Sequence, residues 1–291
     1  MKTITALVLL AGICILQTAQ ASRLTCTASA PCSLAEALIP GNYIEVRQLV
    51  YASPAGPVYE TMQFSNFSDS LGNFGGESVA VWAAAAGLDW KLVFQPLSSA
   101  ANPWRIQSSG PDASYSASLS YDLLFDGRRL NMYGQTPRSN LAGADLVVSY
   151  GDFRNTGGLS LTGRVSESVA DDQTPASPGS PVDLALSCAE LETSVYSGCA
   201  EKTGTDSGWF DSYYVFDDSD RLSVENSIQL DYVAFFGGGG ALGVSRIVNQ
   251  FSEAPIVGEP SDSAILALGL LALAWLRAGG RRGGRVGWIK S

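Results

Sequence analysis

The nine residues Leu222–Leu230 read LSVENSIQL, and this order points to the fold class. Apolar Leu, Val, Ile and Leu share one phase of a two-residue repeat, and Ser, Asn, Glu and Gln stand between them. Such alternation turns one set of side chains to a core and leaves the polar set in solvent. The same pattern recurs in Ala117–Tyr121, which reads ASLSY. Both stretches therefore predict β-strands with one solvent-exposed face.

Further apolar and aromatic runs predict more strands, which are Tyr43–Ala52, Tyr59–Phe67, Ser118–Phe125, Asp145–Tyr150, Leu159–Val165, Tyr213–Phe216 and Leu222–Phe236. Turn signals stand between them at Asp126-Gly127, Asn155–Gly158 and Gly237–Gly240. Only Cys32–Ile39 is typical of a short helix, with Ser33 as its N-cap. We therefore expect an all-β protein, an antiparallel β-sandwich or jelly roll, followed by an isolated hydrophobic helix at the C-terminus.

The predicted body comprises residues 22–254, between two unusual ends. Residues 166–181 read SESVADDQTPASPGSP, a polar, Pro-rich composition that favours a long flexible loop. The same stretch could separate two domains, but strand patterns continue on both sides of it. We expect one domain with a loop.

Charge and the absence of histidine exclude several functions. The 291-residue chain has a formal charge of −10, and its body holds 26 acidic and 12 basic residues. Such a body repels phosphodiester backbones, so we expect no nucleic-acid partner. There is no histidine, which rules out Ser-His-Asp and Cys-His catalysis and every zinc site that contains histidine.

The N-terminus predicts export. Lys2, an apolar run over Ile4–Leu16 and the small residues Ala19 and Ala21 form a secretory signal peptide over residues 1–21. In an exported protein the four cysteines of the body favour disulfides over a metal site. The spacing favours the short-loop pairing of Cys26 with Cys32 and Cys188 with Cys199, although three pairings are open.

The C-terminal region, residues 255–291, has three parts. A polar break at Val257, Gly258, Glu259, Pro260 and Ser261 precedes the uncharged apolar stretch SAILALGLLALAWL, residues 263–276. A basic cluster of Arg277, Arg281, Arg282 and Arg285 follows. An apolar helix of this length is short for a bilayer, and the arginines on its far side fit a cytoplasmic end.

This tail resembles the PEP-CTERM sorting signal of Gram-negative bacteria. Val257, Glu259, Pro260 and Ser261 match its usual Val-Pro-Glu-Pro-Ser form, and Gly258 replaces the first Pro. The resemblance implies an exosortase as partner, cleavage near Glu259-Pro260, an inner-membrane-anchored intermediate and a final place at the cell surface or in the extracellular matrix. A plain membrane anchor is the alternative, whereas the Leu-Pro-x-Thr-Gly motif of a sortase substrate is absent.

Two features of the body could bind a ligand. Asp217, Asp218 and Asp220 form either a solvated acidic turn or a structural Ca²⁺ site, although the spacing does not match an EF-hand. Trp209, Tyr213 and Tyr214 form either core contacts or a platform on which sugar rings stack. We predict no other cofactor.

These patterns together predict an exported, surface-sorted structural or binding protein of the extracellular matrix or biofilm. The first alternative is a carbohydrate-binding module, with exopolysaccharide as its partner. The second is a secreted glycoside hydrolase, which needs two suitably placed carboxylates, one of them with a raised pKa. The sequence nominates no catalytic residue, and we expect no enzyme.

Overall fold

The fold is taken from a computed structural model of the chain. It describes residues 21–54, 56–128, 138–139, 141–171, 182–191, 199, 202–209 and 220–253. The sorting motif, the apolar stretch and the arginines of the C-terminal region lie outside these residues, as do residues 1–20 of the predicted signal peptide. Within the described part of the chain, no helix is long and apolar enough to cross a membrane.

The body is built almost entirely of β-strands. In chain order the elements are β1 (Arg23–Leu24), β2 (Cys32–Ser33), α1 (Leu34–Ala37), β3 (Tyr43–Ser53), β4 (Gly56–Ser68), a 3₁₀ turn (Gly76–Ser78), β5 (Val79–Ala86), β6 (Asp89–Pro96), β7 (Arg105–Ser108), β8 (Ala113–Arg128), β9 (Arg138–Ser139), β10 (Leu141–Asp171), β11 (Val182–Leu191), β12 (Thr203–Trp209) and β13 (Asp220–Glu253). All pairings between these strands are antiparallel except that of β1 with β3. The all-β prediction is confirmed.

The two longest strands, β10 and β13, pair with each other along most of their length and hold the fold together. Their parts 160–169 and 220–232 lie with β3, β4, β8 and β11 in what we call the front half of the sheet. Their parts 141–149 and 247–252 lie with β5, β6 and β12 in the back half. The two facing layers expected of a sandwich are therefore halves of one continuous, nearly closed sheet.

Aromatic side chains fill the space between the halves. Tyr121 of β8 lies 5.4 Å from Phe67 and 6.2 Å from Phe94 between ring centroids, so it joins rings of both halves. Phe251 of the back half contacts Phe64 of the front half at 6.3 Å. These rings are buried, and rings packed edge-on or offset in this way contribute more than their buried area alone.

The predicted turns at Gly237–Gly240 and Asn155–Gly158 are wrong. Both stretches lie inside long strands, where Gly240 pairs with Asn155 and Gly239 with Thr156. Register shifts flank this region, and Asp152 adopts a left-handed backbone there, with φ of 53°. Bulges bend a strand and increase its twist, so the glycines mark the corner at which β10 and β13 pass from one half to the other.

Two other breaks predicted from composition are also strand. Asp126-Gly127 lies within β8, where Gly127 pairs with Ser139 of β9. Residues 166–171, the start of the predicted flexible loop, belong to β10 and pair with β13. Partners on both sides supply the hydrogen bonds that composition alone does not reveal; residues 172–181 lie outside the described part of the chain.

The predicted cysteine pairing is present, and the predicted helix is present over Leu34–Ala37, shorter than Cys32–Ile39 because Cys32 and Ser33 form β2. Ser33 caps α1 in a capping box with Glu36, which confirms the predicted N-cap. Among the described residues there are two disulfides, Cys26–Cys32 and Cys188–Cys199, the short-loop pairing that the spacing favoured. Disulfides persist in oxidising compartments, so this pair is consistent with an extracellular location.

Candidate functional site: a polar groove and a buried polar cluster

A polar groove of about 350 Å³ runs over the outer face of the front half. It lies where β11, β10 and β13 are neighbours, so three strands supply its side chains. Alternation places short polar residues on this face while Val165 and Val169 point to the core. We define the groove by its outward residues, which are Arg164, Ser166, Ser168, Asp183, Ala185, Glu225 and Ser227.

Strand register sets the order of these groups. Ser168 lies opposite Asp183 on one side and Glu225 on the other. Its hydroxyl donates to Asp183 Oδ1 at 2.6 Å, and the hydroxyls of Ser166 and Ser227 lie 2.7 Å apart. Ser166 and Ser227 thus hold each other in position and Asp183 holds Ser168, with hydroxyl groups in adjacent strands facing the same way.

Charged groups stand at the two ends of this row. Arg164 and Glu225 are exposed, and neither takes part in an ion pair found among the described residues. Arg164 precedes the two serines along β10, whereas Asp183 and Glu225 flank the far one. The groove therefore offers donors at one end, acceptors at the other and hydroxyls between, a set suited to a ligand rich in hydroxyl groups.

A second polar feature lies beneath the groove, inside the core. Glu167 follows Ser166 on β10 and points inward with its side chain completely buried, opposite Asn226 of β13. Burial, and secondarily the Asp145 carboxylate, raises the pKa of Glu167 well above its ordinary value. Tyr121 lies close by, and its hydroxyl accepts a hydrogen bond from Asn249 Nδ2 at 2.6 Å.

The sequence patterns predict no role for Glu167, and they predict that Asn226 faces solvent with the other polar residues of its strand. The structure buries both completely. A signal was present, because each residue occupies the apolar phase of its alternation, Glu167 between Val165 and Val169, and Asn226 between Val224 and Ile228. A polar residue in the phase of the core is the pattern that identifies them.

The residues predicted as sites fall mostly outside the described part of the chain. Tyr213, Tyr214, Asp217 and Asp218 are not described. Trp209 ends β12 opposite Gly143, and Asp220 begins β13 opposite Phe125. Of the described residues, no three or more His, Cys, Asp and Glu come together as metal ligands. The saccharide platform and the Ca²⁺ site stay predictions.

Two of the tryptophans that the structure describes have a structural role. Trp90 and Trp104 are completely buried, and their indole N–H groups donate to Glu253 Oε1 and to the Phe74 carbonyl, both at 2.7 Å. Buried Trp with a satisfied N–H is typical of a core position. Neither ring is available for stacking on a sugar.

Comparisons with known proteins leave the family open. No family model and no curated protein matches the chain. Among solved structures, it is similar to TmCBM61 in complex with β-1,4-galactotriose, with 8% identity, 64% of this chain and 86% of that one covered, and a TM-score of 0.23. Another is the enzymatically active domain of bacteriophage CBA120 tailspike protein 4, with 10% identity, 63% and 19% covered, and a TM-score of 0.19. Likeness at these scores carries no argument about function.

Proposed function

We propose that this chain is an exported protein of the cell surface or extracellular matrix whose β body binds a neutral polysaccharide in the groove. The observation that carries the proposal is the row of fixed hydroxyls between Arg164 and the acids Asp183 and Glu225. Sugars present many hydroxyl groups, each both donor and acceptor. A short row of serines, carboxylates and one guanidinium can satisfy several of them at once.

The charge of the body favours a neutral polymer over an acidic one. Its net charge of −14 opposes uronate or phosphate chains as it opposes nucleic acid. Within the groove two carboxylates face one guanidinium, so the local charge has the same sign. Neutral glycans are bound without this repulsion.

Export and sorting belong to the same proposal. The N-terminal leader, the three-part C-terminal region and the two disulfides support a route through the inner membrane to the surface, with an exosortase as processing partner. At the surface, a glycan-binding body would join the cell to exopolysaccharide. With export, sorting and glycan binding combined, the protein would act in the extracellular matrix or biofilm.

Removing the guanidinium of the groove should weaken binding. We expect Arg164→Ala to raise the dissociation constant for a bound neutral glycan about ten- to hundredfold, because a charge-assisted hydrogen bond contributes about 1.5–3 kcal/mol. Affinity electrophoresis of the body in gels containing dextran, galactomannan or mixed-linkage β-glucan would identify the polymer. Titration calorimetry with its oligosaccharides would give the constant.

The control is Arg246→Ala. Arg246 is an exposed arginine like Arg164, but it lies on β13 in the back half, opposite Ser149. It should bind as the unchanged body does. Alginate, an acidic polymer, should not retard either protein. Equal binding by the Arg164→Ala and Arg246→Ala variants, or retardation by alginate alone, would contradict the groove.

Sorting predicts two new chain ends. In a Gram-negative host that contains an exosortase, mass spectrometry of the mature protein should find Ser22 at the N-terminus and a C-terminus near residue 260. Replacing both Glu259 and Pro260 by Ala should leave the tail in place, because the resemblance assigns cleavage to this motif. An intact Ser291 in the unchanged protein would show a plain anchor instead.

A further inference from the structure

Four polar side chains meet in the core where the two halves of the sheet face each other. Tyr121, Glu167 and Asn226 come from the front half and Asn249 from the back half, and each is 1% exposed or less. Glu167 and Asn226 are directly opposite on β10 and β13, so their side chains are neighbours on the inner face. Asn249 reaches Tyr121 across the interior. We call these four residues the core cluster.

Apart from the bond between Asn249 Nδ2 and the Tyr121 hydroxyl, the side-chain polar atoms of the core cluster are not satisfied by the rest of the fold. Neither carboxyl oxygen of Glu167 and neither amide atom of Asn226 has a hydrogen bond of good geometry, and Asn249 Oδ1 has none either. Buried polar atoms are rarely left in this state, and each one costs stability. An ionised Glu167 could only accept hydrogen bonds, so it could not satisfy the oxygen of Asn226. A neutral Glu167 has an O–H group that can.

The charges around Glu167 also oppose its ionisation. No lysine or arginine is among the buried residues that the structure describes. Of the acids on the surrounding strands, Asp145 on the first part of β10 acts on Glu167, and the Asp206 carboxylate of β12 accepts from the Ala185 N–H of β11. Asp183 of β11 and Glu225 of β13 lie with Arg164 along the groove on the outer face. The one titratable group within the core cluster besides Glu167 is Tyr121. Its own pKa is raised by burial and by Glu167, so it is neutral as well.

We propose that the core cluster is a proton-dependent clamp between the two halves of the sheet, closed while Glu167 is neutral and released when Glu167 ionises. Its proton lets Glu167 donate to Asn226 on the adjacent strand. The side chain of Asn226 interacts in turn with the Tyr121 hydroxyl, which accepts from Asn249 of the back half. Ionisation places an uncompensated charge in the core and removes that donor. The clamp does not depend on what the groove binds.

The direction of the pH dependence follows from linkage. The pKa of Glu167 is raised in the folded state above its unfolded value of 4.5. Its stabilisation is therefore complete below about pH 4.5 and is lost as pH rises toward the folded value, because the unfolded chain gives up the proton first. The body should be held more firmly in mildly acidic surroundings than in alkaline ones.

The test compares Glu167→Gln with the unchanged body, because glutamine keeps the shape of the neutral acid and cannot ionise. The ratio of the unfolding equilibrium constant of the unchanged body to that of the variant should rise about tenfold per pH unit from about pH 5 up to the folded pKa of Glu167. Unfolding releases one proton in this range. Urea unfolding followed by circular dichroism between pH 4.5 and 8.5 measures the unfolding constants of the unchanged body and of the variant. Glu225→Gln is the matched control, since Glu225 is exposed on β13, the strand paired with that of Glu167, and is next to Asn226. Its pH profile should follow that of the unchanged body.

A local readout separates a clamp from a general charge effect. With exchange rates corrected for their intrinsic pH dependence, amides of Val224–Ile228 and Ile247–Phe251 should lose protection at alkaline pH in the unchanged body but keep it in Glu167→Gln. If the glutamine variant does not fold, Glu167→Met gives the same comparison with an apolar side chain. Parallel pH profiles for the unchanged body and the Glu167 variant, or the same slope change in Glu225→Gln, would overturn the proposal.

Discussion

Phe251→Ala should lower the free energy of unfolding by about 3–5 kcal/mol, the range for removing a large aromatic side chain from a packed core. Phe251 is completely buried on β13, and its ring lies 6.3 Å from that of Phe64 on the opposite half. Truncation removes contacts that hold the two halves together, and the strands around the site are too extensively paired to collapse into the space. Urea unfolding with the slope m fitted separately measures the change.

Val233→Ala is the control for Phe251→Ala. Val233 lies on the same strand but is 38% exposed, so its loss should cost less than about 1 kcal/mol. A loss below about 1 kcal/mol for Phe251→Ala as well would mean that the two halves are not packed through this ring.

Gly240→Ala should destabilise the body by about 1–3 kcal/mol, the cost of overpacking a filled core. The ring of the buried Tyr232 lies against Gly240 from one strand and Gly158 from another, so a methyl group at either glycine would overlap it. The ring cannot move away without breaking the corner of β10 and β13. Thermal unfolding of the single variants Gly158→Ala and Gly240→Ala would show the effect.

Two further variants make the Gly240 result specific. Gly151→Ala lies in the same corner, but the nearest atom to an added methyl group is 3.8 Å away, so its melting temperature should stay close to that of the unchanged body. Adding Tyr232→Leu to Gly240→Ala removes the ring that the methyl group would overlap. The double variant should therefore lose less stability than the two single variants lose together. Additive losses would show that Tyr232 is not the obstacle.

The strands were predictable because their alternation is local. Leu222–Leu230 shows which side chains enter the core, and the structure follows that phase at Leu222, Val224 and Ile228. The capping box of α1 and the disulfide loops are also local, since the capping residues are three apart and the paired cysteines are 6 and 11 residues apart. Patterns of this kind can be recognised without knowledge of the partners.

The breaks between strands were less predictable, because glycine has two uses. Gly237–Gly240 has the composition of a turn, yet its lack of side chains serves close packing at a bend of two paired strands. Residues 166–171 have the polarity of a loop, yet β13 pairs with all of them and β11 pairs with residues 166–169. Composition records which residues are present and not which backbone lies beside them.

The groove lay beyond sequence reasoning for a related reason. Its serines and acids come from three strands that are far apart in the chain, such as Ser166 and Ser227, 61 residues apart. Each of these serines and acids is an ordinary solvent-facing residue of its own strand. Only the register places them side by side.

By itself, the sequence determined the all-β class, most of the inward and outward positions of the strands and the helix cap, because each depends on neighbours in the chain. The targeting signals at both ends stay predictions. The tertiary structure decided that β10 and β13 join two halves of one sheet, that outward serines line a groove, and that Glu167 and Asn226 lie in the core. Those features depend on contacts between distant strands, and the free energy of burying a carboxyl group is set by what surrounds it in space.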